Sequence, residues 1–272
     1  MEATPTTAPG PARLRDDYDL SCVALFLDID GTLLELAQTP GSVHVDPDLK
    51  ILLSSLADRA GGALALVSGR RIVEMDALFT PLTLSAAGLH GFERRSASGS
   101  HHYRKFPATA LLEEARRAML ELASRHVGLL VEDKRFALAL HYRLAPDLEE
   151  MVAGAMTQIA TAVRPEFELQ MGKMVAELRP AGATKGGAVS QFMTEAPFSG
   201  RFPIYVGDDL TDESAFEWVN SAGGLSVAVN VPGATAARAQ LPNVAAVRTW
   251  LTRLLLAKSA TCFPAGPPAP GP

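Results

Sequence analysis

Cysteine is close to absent from this chain: Cys22 and Cys262 are the two among 272 residues. So few supply neither a disulfide framework nor a metal spacing. The expectation is one buried thiol and one thiol in the tail, in a reducing compartment. Long apolar runs are missing too, and nothing approaches the roughly 20 residues that span a bilayer. The opening stretch, Met1 to Gly10, carries neither the basic nor the apolar region of a secretory signal. A cytoplasmic protein with no membrane partner is expected. Basic charge is short: Lys and Arg total 25 against 30 Asp and Glu, a formal net charge of −5. That balance argues against a general nucleic-acid binder and against a basic membrane-docking face, while leaving room for a local basic pocket. Lysine is scarce, with six in the chain, so a Lys beside glycines stands out.

What is present is a soluble globular composition, 47% hydrophobic and 20% charged. The length allows one large domain or two modest ones. Residues 1–19 and 263–272 are rich in Pro, Ala and Thr or Gly and are expected to be disordered. Between them runs a βαβ rhythm: an apolar strand from Cys22 to Leu27, a helix begun by Asp46-Pro47, a strand over 63–67, and a third over Leu82–Ser85. The texture then changes to an amphipathic helix over 108–125 and alternating strands such as Phe136 to Arg143, where Leu138, Leu140 and Tyr142 share a face. The rhythm resumes after Pro180. The expected fold class is α/β, a Rossmann-like doubly wound parallel sheet at 20–96 and 180–262, with a smaller α+β cap inserted at 97–179.

The chemistry concentrates where buried strands end in acids. Asp28-Ile29-Asp30-Gly31-Thr32 follows the first strand. Carboxylates there are costly to desolvate unless paired, and a divalent cation is the usual partner. An ordinary Asp-rich turn is the alternative. Gly207-Asp208-Asp209-Leu210-Thr211-Asp212 repeats the pattern, with Thr211 placed to cap the following helix. The two clusters meet if their strands are neighbours, because ligands in such sheets sit beyond the carboxyl ends of the strands. Lys185 opens a helix beside two glycines, a seat for phosphoryl oxygens, though Gly182 to Gly187 fails the P-loop pattern. Ser68-Gly69-Arg70 ends the second strand. His90, in Gly88-Leu89-His90-Gly91, either packs the sheet edge or donates into the pocket.

These stretches, in this order, resemble the four motifs of the haloacid-dehalogenase-like (HAD) phosphohydrolases. Glu132-Asp133-Lys134, Leu140-His141-Tyr142-Arg143 and Gly172-Lys173-Met174-Val175-Ala176-Glu177-Leu178-Arg179-Pro180 narrow the resemblance to the trehalose-6-phosphate phosphatases, over most of residues 22–230. Ile29 departs from the Tyr or Phe common there. The resemblance implies an Mg²⁺-dependent phosphoric monoester hydrolase with a C2-type cap, acting on trehalose 6-phosphate. It makes Asp28 the nucleophile and Asp30 the acid/base, with Ser68 and Lys185 clamping the phosphoryl group. Asp28, Asp30 and Asp208 would hold Mg²⁺, supported by Asp209 and Asp212. Arg70, His90, Gly91, Arg143, Lys173 and Glu177 would face the substrate. On a strand from Gly172 to Arg179, period two puts Lys173, Val175, Glu177 and Arg179 on one face. A different sugar phosphate (sucrose phosphate, mannosyl-phosphoglycerate) and a non-catalytic regulatory module are the alternatives, and association with a trehalose-6-phosphate synthase is left open.

Overall fold

The computed structural model describes residues 14–36, 43–104, 109–257 and 262. The chain begins with β1 (Val23–Leu27), α1 (Pro47–Arg59), β2 (Leu64–Val67), α2 (Ile72–Phe79), β3 (Ser85–Gly88), β4 (Glu93–Arg95) and β5 (His101–Tyr103). It continues through α3 (Thr109–Arg125), β6 (Leu130–Asp133), β7 (Leu138–His141), α4 (Glu149–Ala162), β8 (Phe167–Gly172) and β9 (Val175–Pro180). It closes with α5 (Lys185–Phe192), β10 (Phe202–Gly207), α6 (Glu213–Ser221), β11 (Leu225–Val229), β12 (Ala239–Leu241) and α7 (Val244–Leu256).

Eight strands form one sheet in the order β12-β11-β10-β1-β2-β3-β4-β5, and four form a second in the order β6-β7-β9-β8. From β12 to β3 the large sheet is parallel; β4 and β5 extend it antiparallel. The small sheet is antiparallel throughout. This is the expected class, a doubly wound sheet with an α+β insertion. β1 shows why the sheet is covered twice. Val23, Leu25 and Leu27 pack beneath α1, α2 and α7 with Leu53, Met75 and Leu251. Ala24 and Phe26 point the other way, against Val189, Phe192 and Phe216 of α5 and α6. α1 starts as its sequence dictates: Pro47 takes the first turn and Asp46 Oδ1 accepts the Leu49 N–H at 2.9 Å.

In the small sheet Leu138, Leu140, Tyr142, Ala176 and Leu178 pack on α3 and α4 with Met119 and Met156. The opposite face carries His141 and Glu177 toward the end of β1. A separate apolar cluster, Leu89, Phe92, Ala137 and Ala183 with Phe136 against it, sits where the chain passes between the sheets. There the Arg104 N–H donates to Phe92 O at 2.9 Å, and the Phe92 and Phe136 rings lie 5.3 Å apart.

Several expectations are corrected. β5 pairs with β4 in the large sheet, so the boundary at 97 falls inside a hairpin of that sheet. The third strand begins at Ser85 rather than Leu82, because the Leu82 N–H is used at 2.9 Å on Phe79 O to close the turn after α2. Residues 14–19 are packed rather than loose: Tyr18 stacks on Phe202 at 5.7 Å, and the Trp250 indole N–H donates to Arg15 O at 2.7 Å. Residues 1–13 and 263–272 lie outside the described residues. Cys22 and Cys262 are joined as a disulfide across 240 positions, not held as free thiols, because Cys262 lies beside the start of β1. Among the described residues no helix is long and apolar enough to cross a membrane.

Candidate active site

At β1 the strand order reverses, with β2 on one side and β10 on the other, and such a switch point opens a crevice at the carboxyl ends. Asp28 and Asp208 stand there on neighbouring strands. Their carboxylates and that of Asp212 are buried and converge, each offering an oxygen within 4.8 Å of the others. Gly31 makes this approach possible: at φ +81° it turns the chain, and a Cβ would fall 2.1 Å from Asp208 Oδ2. Asp212 is the organiser, for its Oδ1 accepts from Lys185 Nζ at 2.7 Å and from Tyr205 OH at 2.6 Å. Its Oδ2 accepts the Asp208 and Asp209 N–H groups at 3.0 and 2.9 Å. Thr211 does not cap the following helix: α6 starts after Asp212 with no side-chain cap, and the turn before it, at 210–212, is capped by Asp209, whose Oδ1 accepts the Leu210 N–H at 2.8 Å.

Lys185 also lies 3.0 Å from Asp28 Oδ1. Burial pushes the Asp28 carboxyl well up, against Lys185, with Asp212 and Asp208 adding like-charge repulsion. Burial pushes Asp208 up to about 6, against the pull of Lys173. Burial would lower the Lys185 ammonium, but Asp212 and Asp28 outweigh it and raise it. Across the crevice Arg70 grips Asp30 bidentately, Nε and Nη2 each at 2.6 Å from a carboxylate oxygen. Ser68 is buried, its Oγ accepting the Arg70 N–H at 3.2 Å. Leu89 and His90 both adopt positive φ, 48° and 56°, conformations rare outside glycine, and this turn drives the His90 ring inward.

The small sheet forms the other wall. Glu177 Oε2 sits 3.1 Å from His90 Nε2, and Oε1 3.2 Å from Lys134 Nζ, which also donates to Gly69 O at 3.1 Å. Burial lowers the His90 imidazole against the opposing pull of Glu177. Beside it, His141 Nε2 and Glu132 Oε2 are 2.7 Å apart. One cleft is lined by Asp28, Asp30, Ser68, Arg70, His90, Arg143, Lys173, Glu177, Lys185, Asp208 and Asp209. Asp212 lies behind it. Gly91 does not reach it; at φ +99° it backs onto Thr184 O, which a Cβ would approach to 2.8 Å. Lys173 is not on a strand: it occupies the turn between β8 and β9 with Met174, whose φ is 60°, so the two-residue period begins only at Val175. Arg179 pairs with Glu168 at 3.0 Å, away from the cleft. Lys134, Glu132 and His141 line the cleft without having been assigned a role from sequence.

The geometry is a carboxylate nucleophile candidate, a lysine and a shared acidic seat beneath a polar roof. The trehalose-phosphatase family model matches residues 26–242, which takes in both acidic strand ends and the whole small sheet. The chain belongs to the trehalose-phosphatase family. A probable trehalose-phosphate phosphatase of Sinorhizobium fredii is 45% identical over 239 residues, 88% of this chain and 89% of its own length. The trehalose-6-phosphate phosphatase of Escherichia coli K12 is 42% identical over 234 residues, covering 86% and 87%. Among solved structures, the C-terminal domain of the Candida albicans trehalose-6-phosphate phosphatase superposes with a TM-score of 0.77 at 23% identity, over 86% of this chain and 91% of that one. The expected enzyme class, a phosphatase, is that of the trehalose-phosphatase family.

Proposed function

We propose that the chain hydrolyses trehalose 6-phosphate to trehalose and inorganic phosphate, with residues 20–104 and 181–257 as catalytic core and 109–180 as cap. The observation that carries this reading is the placement of Asp28 between Lys185 and Asp208 at the floor of a cleft roofed by Glu177 and Lys134. A divalent cation fits the floor: Asp208 Oδ1 is buried with no hydrogen-bond partner, and the converging donors are all carboxylate oxygens, which suit Mg²⁺. Asp28 and Asp208, with the carbonyl of Asp30, would hold it. Asp212 has both oxygens committed to Lys185, Tyr205 and two backbone N–H groups, which supports an orienting role. Mg²⁺ bound there supplies positive charge that lowers the repulsion between an anionic nucleophile and the phosphoryl oxygens.

The chain's own residues then divide the work. Asp28 attacks phosphorus; the Asp28 O–P bond forms as the bond from phosphorus to the sugar oxygen breaks, giving an aspartyl-phosphate. Asp30 donates its proton to the departing sugar oxygen. It next takes a proton from water, whose oxygen attacks phosphorus and frees Asp28 with release of phosphate. Lys185 and Ser68 hold the phosphoryl oxygens, and Arg70, which grips both oxygens of the Asp30 carboxylate in the substrate-free site, yields one of them when Asp30 carries the proton. On the roof, Glu177 and Lys134 offer an acceptor and a donor to sugar hydroxyls.

The test is phosphate release from trehalose 6-phosphate, sucrose 6-phosphate and glucose 6-phosphate, before and after EDTA. Preference for the trehalose ester, lost to EDTA and restored by Mg²⁺, is expected. Full turnover after exhaustive chelation sinks the metal reading, and equal turnover of all three esters sinks the substrate.

A further inference from the structure

The β8–β9 turn reaches from the small sheet down to the acidic floor. Its Lys173 Nζ lies 2.6 Å from Asp208 Oδ2 and 2.7 Å from the Asp208 carbonyl oxygen. The fit at the tip is close, since a Cβ on Gly172 would stand 2.9 Å from Asp209 Oδ2. A cap ammonium thus sits on one oxygen of Asp208, next to the buried, unpartnered Oδ1 that a metal would use. We propose that Lys173 is a tethered cation that stands in for the metal at Asp208, latching the cap to the core until a divalent ion displaces it. This rests on the metal reading above.

Charge decides why the two states exclude each other. Asp28, Asp208 and Asp212 crowd three carboxylates into one buried space. Lys185 serves Asp28 and Asp212, and Lys173 alone reaches Asp208 among the ion pairs of the described residues. Without Lys173 two negative charges stay uncompensated in a buried site, which is expensive. A divalent cation together with Lys185 neutralises all three, and the Lys173 ammonium then becomes surplus positive charge next to a metal. It can leave cheaply: its side chain is 38% exposed, on a flexible stem, in a turn outside the β9 ladder. Metal binding and release of the tip are therefore coupled, and each must weaken the other by the same factor.

Calorimetric titration of the metal-free protein with Mg²⁺ and with Mn²⁺ reads the coupling, and small-angle scattering before and after metal reads the cap. Lys173→Met should bind both ions about ten-fold more tightly or better, the size of a typical coupling. Lys173→Arg should retain the weaker binding. Metal-free wild type should be more compact than metal-free Lys173→Met, and metal should bring wild type to the variant's dimensions. Equal affinities for wild type and Lys173→Met overturn the latch and leave the metal reading standing. Tighter binding with no change of dimensions also overturns it, reducing Lys173 to a local charge. Binding of neither ion to either protein sinks the metal reading and the latch together. Should Lys173→Met not fold, Lys173→Gln carries the same expectations.

Discussion

Replacing Glu177 by Gln keeps the shape of the side chain and removes its charge. The residue is 6% exposed, between His90 and Lys134. Burial alone would raise its carboxyl; Lys134 and then His90 outweigh burial and hold it well below the usual carboxylate range. Breaking a buried pair by removing one partner costs about 3–5 kcal/mol, because the other charge stays buried. Lys134 keeps the Gly69 carbonyl at 3.1 Å, so the lower end, about 3 kcal/mol, is expected. For a chain of this size that is a fall in Tm of roughly 6–12 °C. The pH dependence has a definite sign. A carboxyl depressed in the folded state contributes stability that is fully present above its unfolded value, 4.5, and is lost as pH falls toward the folded value. The gap between wild type and Glu177→Gln should thus narrow below pH 5, by about 0.8 kcal/mol at pH 4. Thermal and urea unfolding followed by circular dichroism at pH 7, 5 and 4 measure it. Equal stability at pH 7, or a gap that widens on acidification, refutes the reasoning.

Asp28→Asn should abolish phosphate release without lowering Tm, since a neutral amide relieves the repulsion with Asp208 and Asp212 while Lys185 keeps Asp212; turnover near the parent rate would remove Asp28 from the chemistry. Asp30→Asn should slow turnover by about 10²–10⁴-fold, the usual worth of general acid–base help, and a few-fold loss would point to another proton carrier. Gly31→Ala places a methyl 2.1 Å from Asp208 Oδ2 and adds a left-handed strain of roughly 1–2 kcal/mol, so phosphate release should collapse along with calorimetric Mg²⁺ binding. Unchanged Mg²⁺ affinity in that variant would show that Asp208 is not held by the Gly31 turn.

The acidic floor was legible because β1 and β10 announce themselves: apolar runs that end abruptly in carboxylates leave few physical alternatives to a pairing at the sheet's edge. The cap was legible in alternation, with Leu138, Leu140 and Tyr142 on one side and His141 on the other, as found. Lys134 was not given a role because a lone lysine in a turn ordinarily points to water; it is buried only because two sheets close on it. The placing of Lys173 failed for a different reason. Period two breaks at Met174, where a positive φ reverses the chain and starts the count afresh. Gly91 reads in the sequence as a ligand contact, yet its missing side chain serves α5, which could not otherwise come so near. Distance along the chain hid the pairing of Cys22 with Cys262, for composition does not say where a tail returns.

The cluster of Phe92, Phe136, Ala137 and Ala183 gives the two walls unequal responses to solvent. The half-buried pair of Lys173 with Asp208 keeps only a partial sensitivity to salt, while apolar contacts are strengthened by sulfate and insensitive to ionic strength as such. Phe92 is fixed to Arg104 on the outward crossing of the chain, and Ala183 lies on the return, so both connections converge on the same tilted pair of rings, Phe92 and Phe136. The two sheets are therefore tied by apolar packing at the chain crossings and by charge at the Lys173 turn.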